Sequence, residues 1–157
     1  MTAVLAEGTA ADLDAVMQVM GEAFDPAFGE AWTRAQCLGI LGLPGVWITI
    51  ARIGDDPAGF ALSRAVIDEA ELLLIGVRPA FRSVGTGAAL LQRTIQIAAI
   101  GGARRLHLEV RAGNSAINLY QAAGFTEIGR RKSYYRGNDG QLYDAITLGL
   151  NLNFVTY

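Results

Sequence analysis

A single cysteine, Cys37, excludes an internal disulfide, and a single histidine, His107, excludes a histidine-rich metal cluster. Zinc enzymes, disulfide scaffolds and hydrolases built on several histidines are thereby set aside. Apolar runs are no longer than stretches such as Leu72–Ile75, far short of the ~20 residues that span a bilayer, so no membrane role is expected. Charge of one sign is also missing. Thirteen basic and fifteen acidic side chains leave a net charge of -2, and a protein that grips nucleic acid over its whole surface is usually basic. Met1 to Gly8 carries Glu7 and no basic segment, so no secretory leader is expected and the chain reads as cytoplasmic. There is no Pro/Ser-rich linker, internal repeat or low-complexity tract. Residues 1–157 therefore read as one domain.

What the chain does have is apolar residues and glycine. Hydrophobic residues make up 52% of it, enough for a large core. Its 19 glycines in 157 residues are about 12%, against a typical ~7%. They follow no collagen-like period, so they serve turns, bulges or a ligand site lined by backbone.

Residues 2–7 read as a short strand. Thr9 is placed to cap a helix whose apolar residues Leu13, Val16, Met17 and Met20 recur at helical spacing. A second helix is expected over 30–40, and β-branched and aromatic Val46–Ala51 form a strand. After the turn at Gly54–Pro57, Gly59–Ile67 returns as its hairpin partner. Residues 69–78, with the run Leu72-Leu73-Leu74-Ile75, suit a central strand, and Gly76 marks a bulge or a close backbone approach. A helix over Thr86–Ile100 leads to a strand over Arg105–Val110. Asn114 or Ser115 then caps a short helix to Ala123, and residues 125–135 and 142–150 make a last hairpin. The order predicts an α/β fold with a mixed sheet and one parallel crossover, from strand 69–78 to strand 105–110.

Three segments carry candidate chemistry. In the first, Val77 to Ala88, a buried strand runs through Gly85 and Gly87 into a helix start. Free N–H groups and the helix dipole favour an anion there, and glycine lets a bulky one approach, so the segment reads as a pyrophosphate cradle. The competing reading is a glycine-softened strand–helix junction with no ligand. A phosphate-loop lysine is absent, and Leu90 occupies the third glycine position of a dinucleotide fingerprint. In the second segment, Leu106 to Asn114, Glu109 sits near the carboxyl end of a strand, where open α/β sheets hold their ligands. It is either a general base or a solvated carboxylate paired with Arg111. His107 shares its face and reads as a packed or surface residue. In the third segment, Asn118 to Phe125, Tyr120 is either core or a phenolic proton donor.

Taken together, the segments resemble the GNAT N-acetyltransferase superfamily. Arg82-x-x-Gly85-x-Gly87-Ala88 matches that family's acetyl-CoA signature, and its spacing to Asn114, Leu119-Tyr120 and Gly124-Phe125 also fits. The chain looks most like RimI-type enzymes, which acetylate the N-terminal alanine of a small-subunit ribosomal protein. The matching stretches are Leu108–Asn114, Leu119–Phe125, Tyr134-Tyr135 and Asp144–Ile146.

The resemblance implies a GNAT fold: a mostly antiparallel mixed sheet flanked by helices, with a parallel, splayed central strand pair. It implies acetyl-CoA as cosubstrate and no metal. It makes Glu109 the proton acceptor and Tyr120 the proton donor. It assigns Ile75, Gly76 and Val77 to the pantetheine arm, and Arg82, Ser83, Val84, Gly85, Thr86, Gly87 and Ala88 to the pyrophosphate, with Asn114 as a further cofactor contact. One departure stands out: Ser83-Val84 replaces the adjacent basic pair common in RimI-type loops, leaving Arg82 as the only nearby base. The implied acceptor is a peptide or protein N-terminus, such as that of a ribosomal protein, lying between residues 24–32 and 133–138. A small-molecule amine as acceptor, or a catalytically silent CoA-binding module, are the alternative readings. Monomer and dimer both remain open.

Overall fold

Hydroxyl caps decide where the first helices begin. In the computed structural model, which describes residues 2–153, Thr9 Oγ1 accepts from Ala11 N at 3.2 Å and Asp12 Oδ2 accepts from Thr9 N at 2.9 Å. This reciprocal cap opens a single 3-10 turn that runs into helix α1 (Leu13–Ala23). Thr33 and Gln36 repeat the device, so α2 spans Arg34–Leu41 and begins four residues later than expected. The segment before it holds a separate 3-10 turn at Pro26–Phe28.

Strand β1 (Val4–Glu7), β2 (Val46–Ile53), β3 (Asp56–Val66) and β4 (Glu69–Val77) follow as antiparallel neighbours. Helix α3 (Thr86–Ile100) then crosses over to β5 (Arg105–Arg111), which is parallel to β4. Helix α4 (Ala116–Ala122) and the hairpin β6 (Thr126–Arg136) and β7 (Leu142–Asn151) complete the seven-stranded order β1-β2-β3-β4-β5-β7-β6. This is the fold expected from the sequence. The one-domain reading over 1–157 includes Met1 and residues 154–157, which lie outside the described residues.

Two layers cover the sheet, one on each face, and strands β2 and β3 are buried on both sides. Leu90, Leu91 and Ile95 of α3, with Tyr120 and Phe125, pack on Leu72, Leu106 and Leu108. Val16, Val19 and Met20 of α1, with Cys37 of α2, cover Ile48, Phe60, Leu62 and Leu74 on the other side. Side chains alternate between faces along a strand, yet Leu72 and Leu74 belong to opposite layers. The reason is a bulge at Leu73, where Leu62 pairs with Leu74 and Ser63 with Leu72. The bulge is therefore at Leu73, and Gly76 instead serves a close approach. A Cβ at Gly76 would lie 3.0 Å from Ala23 Cβ and 3.3 Å from the Phe24 ring, so a side chain there would crowd the end of α1.

Candidate functional site

β4 and β5 pair over only three residues, Glu69–Glu71 against Arg105–His107, and then part. Polar side chains cluster at the closed end: Arg105 pairs with Glu69 at 3.1 Å, and the His107 ring nitrogens lie 3.4 Å from Glu69 and Glu71. The lone histidine thus sits half-buried at the strand junction, packed among carboxylates rather than in the gap.

Beyond the junction β4 has a free edge. Arg78 N donates to Ala58 O at 2.8 Å, which makes Gly59–Val77 a non-hydrogen-bonded pair in the antiparallel ladder. The alternation then turns the N–H and C=O groups of Ile75 and Val77 away from β3 and into the gap. The free edge ends at the start of α3. Ser83 and Gly85 adopt left-handed backbone there, with φ of 65° and 84°. Gly85 occupies the cap position and supplies no side-chain acceptor to the first N–H groups of the helix. Thr86 Oγ1 is buried and has no partner among the described residues. A strand edge with unpaired donors leading to an uncapped helix start is a fitting cradle for an extended, anionic cofactor.

A cleft of about 1030 Å³ occupies this gap. Ile75, Gly76 and Val77 line it along the strand, and Arg82, Ser83, Gly85, Thr86, Gly87 and Ala88 at the turn. Glu109, Asn114 and Tyr120 line it from β5 and α4. Of the residues assigned to cofactor or catalysis, Val84 alone does not line the cleft and is half exposed. Arg82 is turned inward: Nε donates to Val77 O at 3.0 Å and Nη2 to Ala23 O at 2.8 Å. Its charge tethers the end of α1 to the end of β4. Asn114 Oδ1 accepts from Ala116 N at 2.9 Å in the turn that leads into α4, whose cap position is Ser115, and its amide nitrogen is left for other partners.

Glu109 is not partnered by Arg111. Its Oε1 accepts from Tyr135 Oη at 3.2 Å, and its Oε2 lies 3.6 Å from Arg131 Nε. Arg111 is instead buried, with Cζ 3.5 Å from the Phe28 ring centroid and Nε 3.6 Å from Glu30 Oε1. Tyr120 is buried beside Phe125, with ring centroids 6.0 Å apart. Burial first, and then the Glu30 charge, push its phenol well above the ordinary range, so it stays protonated at neutral pH. Burial, the Glu109 charge and the hydrogen bond to it push Tyr135 up to about 12. Sequence reasoning missed the contact of Tyr135 with Glu109 and the buried Arg111–Glu30 pair. The only local signal was the alternation that puts Glu109 and Arg111 on one face.

Two loops after α1 and β6 are also joined. Asn138 N donates to Ala27 O at 2.9 Å and Asn138 Nδ2 to Pro26 O at 3.2 Å. The turn after α1 and the β6–β7 loop thus meet. Among the described residues no group of three or more His, Cys, Asp or Glu side chains is arranged to hold a metal ion.

A parallel strand pair that splays toward a glycine turn is the arrangement expected of a GNAT fold. The chain belongs to the acetyltransferase (GNAT) family, whose model matches residues 13–125. It is 42% identical over 97 residues to the [ribosomal protein bS18]-alanine N-acetyltransferase of Escherichia coli K12. That match covers 61% of this chain and 65% of the relative, just under two thirds of the relative's length. The Haemophilus influenzae enzyme of the same name is 38% identical over 94 residues, 60% of this chain and 64% of the relative. In three dimensions the chain is similar to the crystal structure of the ribosomal-protein-S18-alanine N-acetyltransferase from E. coli. The TM-score is 0.88 at 32% identity, over 98% of this chain and 96% of that one. An N-acetyltransferase from Staphylococcus aureus Mu50 shares the fold, with a TM-score of 0.82 at 21% identity, over 98% of this chain and 100% of that one.

Proposed function

We propose that this protein transfers the acetyl group of acetyl-CoA to the α-amine of a protein N-terminus, an alanine such as that of a ribosomal protein. The observation that carries this reading is one cleft with three parts: the free edge of β4, the Glu109 carboxylate and the protonated Tyr120 hydroxyl. The names borne by the relatives support the acceptor class. Acetyl-CoA, when bound, supplies an activated thioester carbonyl. The N–H groups of Ile75 and Val77 and those of the first turn of α3 are the groups that would hold it.

The roles of the chain's own residues follow from their chemistry. An α-amine has an ordinary pKa near ~8 and is partly protonated at neutral pH. Glu109 Oε2 takes its proton, directly or through a water, so that the nitrogen lone pair becomes free. Val77 N, unpaired in the gap, faces the negative charge that develops on the carbonyl oxygen during transfer. Tyr120 Oη gives its proton to the departing sulfur, a task suited to a phenol that burial keeps protonated. Asp25 and Glu30 both line the cleft and add negative charge suited to a basic N-terminal segment.

The test is incubation with acetyl-CoA and a basic peptide that begins with alanine, read by peptide mass, beside an N-terminally blocked copy. A gain of one acetyl group on the free peptide alone is expected. Acetylation of the blocked peptide, or of small amines in preference to the peptide, would contradict the reading. CoA binding with no acceptor modified would favour a silent binding module.

A further inference from the structure

Two partners reach Glu109, and both come from β6, although β7 lies between β5 and β6. The register makes the reach of Tyr135 unexpected. Glu109 pairs with Thr147 and Thr147 with Gly129, whereas Tyr135 pairs with Tyr143. From Thr147 to Tyr143 is about 13 Å of strand, and two strand spacings add about 10 Å across. A flat sheet would keep the Tyr135 and Glu109 side chains apart.

An irregularity in β6 brings them together. Arg131 pairs with Ala145 and Tyr135 with Tyr143, so β6 takes four steps where β7 takes two. Ser133, within the excess, adopts φ of 54°, a left-handed conformation uncommon outside glycine. Its N–H donates to Asp144 Oδ1 at 2.9 Å, while Asp144 Oδ2 accepts from Arg130 Nη1 at 3.1 Å. One carboxylate thus pins the bulge from both sides. Bulges bend a strand and re-aim its side chains, and beyond this one Tyr135 lines the cleft. Tyr134 stays half exposed and packs edge-on against Tyr135, with ring centroids 5.2 Å apart.

We infer that Tyr135 is a positioning residue for acetyl transfer, its hydroxyl fixing the Glu109 carboxylate so that Oε2 faces the acceptor amine. The inference rests on the reading of Glu109 as the base. Oε1 is occupied by the Tyr135 hydroxyl. Arg131 stands from Oε2 at an ion-pair distance beyond good hydrogen-bond length, which leaves a lone pair there for the amine proton. Because burial and the neighbouring carboxylate push the Tyr135 phenol up to about 12, it remains a donor throughout the neutral range.

Steady-state kinetics with acetyl-CoA and an alanine-starting peptide on wild type, Tyr135→Phe, Glu109→Gln and the double variant test this. Tyr135→Phe keeps the ring and removes only the donor; unchanged CoA binding by calorimetry reports that the cleft is intact. The expected result is a kcat about tenfold lower, the scale of one hydrogen bond to a charged acceptor, with both KM values within about twofold of wild type. In the Glu109→Gln background the same substitution should have no further effect, because Tyr135 acts through Glu109. A raised acceptor KM at unchanged kcat would overturn the inference and make Tyr135 an acceptor-binding group. Additive losses in the double variant would overturn it as well. Loss of activity in Glu109→Gln with wild-type kcat in Tyr135→Phe would sink this inference alone. Wild-type kcat in Glu109→Gln would sink the base reading and this inference with it.

Discussion

Arg82 donates to the carbonyl of Ala23 at 2.8 Å and to that of Val77 at 3.0 Å, so the only base beside the glycine turn faces inward. The guanidinium satisfies a last-turn carbonyl of α1 and secures the strand end at the mouth of the cleft. Arg82→Ala should therefore act first on stability. These bonds are at the surface, so a loss of about 1 kcal/mol is expected, which is a Tm lower by about 2–4 °C for a chain of this size. Thermal unfolding measures it. A tenfold rise in the acetyl-CoA KM at unchanged Tm would instead make Arg82 a direct phosphate ligand.

Gly85 and Gly87 should respond differently to alanine. Gly85 has φ of 84° and open space around it, so Gly85→Ala strains the backbone by about 1–2 kcal/mol. Gly87 is not in that region, and a Cβ there would meet Leu119 at 3.6 Å and Val77 at 3.7 Å, ordinary contacts. Gly87→Ala should fold at least as well as wild type, since alanine favours helix by about 1 kcal/mol. It narrows the gap next to Val77, so CoA affinity should fall severalfold. Paired unfolding and titration calorimetry separate the two outcomes; tight CoA binding by Gly87→Ala would place the cofactor elsewhere.

Alkaline stability should report the two cleft tyrosines. Tyr120 and Tyr135 both have phenols raised by folding, in each case with burial as the first cause. The unfolded chain gives up these protons near the ordinary value of 10, and the folded chain holds them longer. The stabilisation is complete below pH ~10 and is lost as pH rises toward the folded value, about 12 for Tyr135. Chemical unfolding between pH 9 and 11, taken as about one unit either side of that ordinary value, should show falling stability in wild type. The decline should be shallower in a Tyr120→Phe/Tyr135→Phe variant. Parallel declines would contradict the burial argument.

Asp144 is the second handle on the β6 bulge. Its carboxyl is held below the usual range by the Ser133 N–H and then by Arg130. Asp144→Ala removes both contacts, so the bulge loses its pin and Tyr135 its aim. A kcat loss of about tenfold, matching that of Tyr135→Phe, is expected in peptide acetylation. Unchanged kcat would mean that β6 holds its shape without Asp144.

Much of this was legible in the chain because the signals are local. The apolar spacing of Leu90, Leu91, Thr94 and Ile95 marks α3, and Gly85 and Gly87 mark its open start. Thr9 announces its cap; Thr33 also caps, but Trp32 before it imitates a helical apolar position and hid where α2 begins. The Leu73 bulge is invisible because four successive large apolar residues conceal the change of face. Arg82 and Tyr135 were harder still. Their partners Ala23 and Glu109 lie 59 and 26 residues away, and only the assembled sheet brings them within reach. Arg111 gave no local sign that Phe28 and Glu30 would bury it.

The roles of Glu109 and Tyr120 are the core of the account, and single-turnover acetylation of an alanine-starting peptide tests them most directly. Glu109→Gln and Tyr120→Phe should each slow transfer by about 10²–10⁴-fold, with acetyl-CoA affinity close to wild type by calorimetry. Near-normal transfer in both variants would contradict the assignment of base and acid in this cleft.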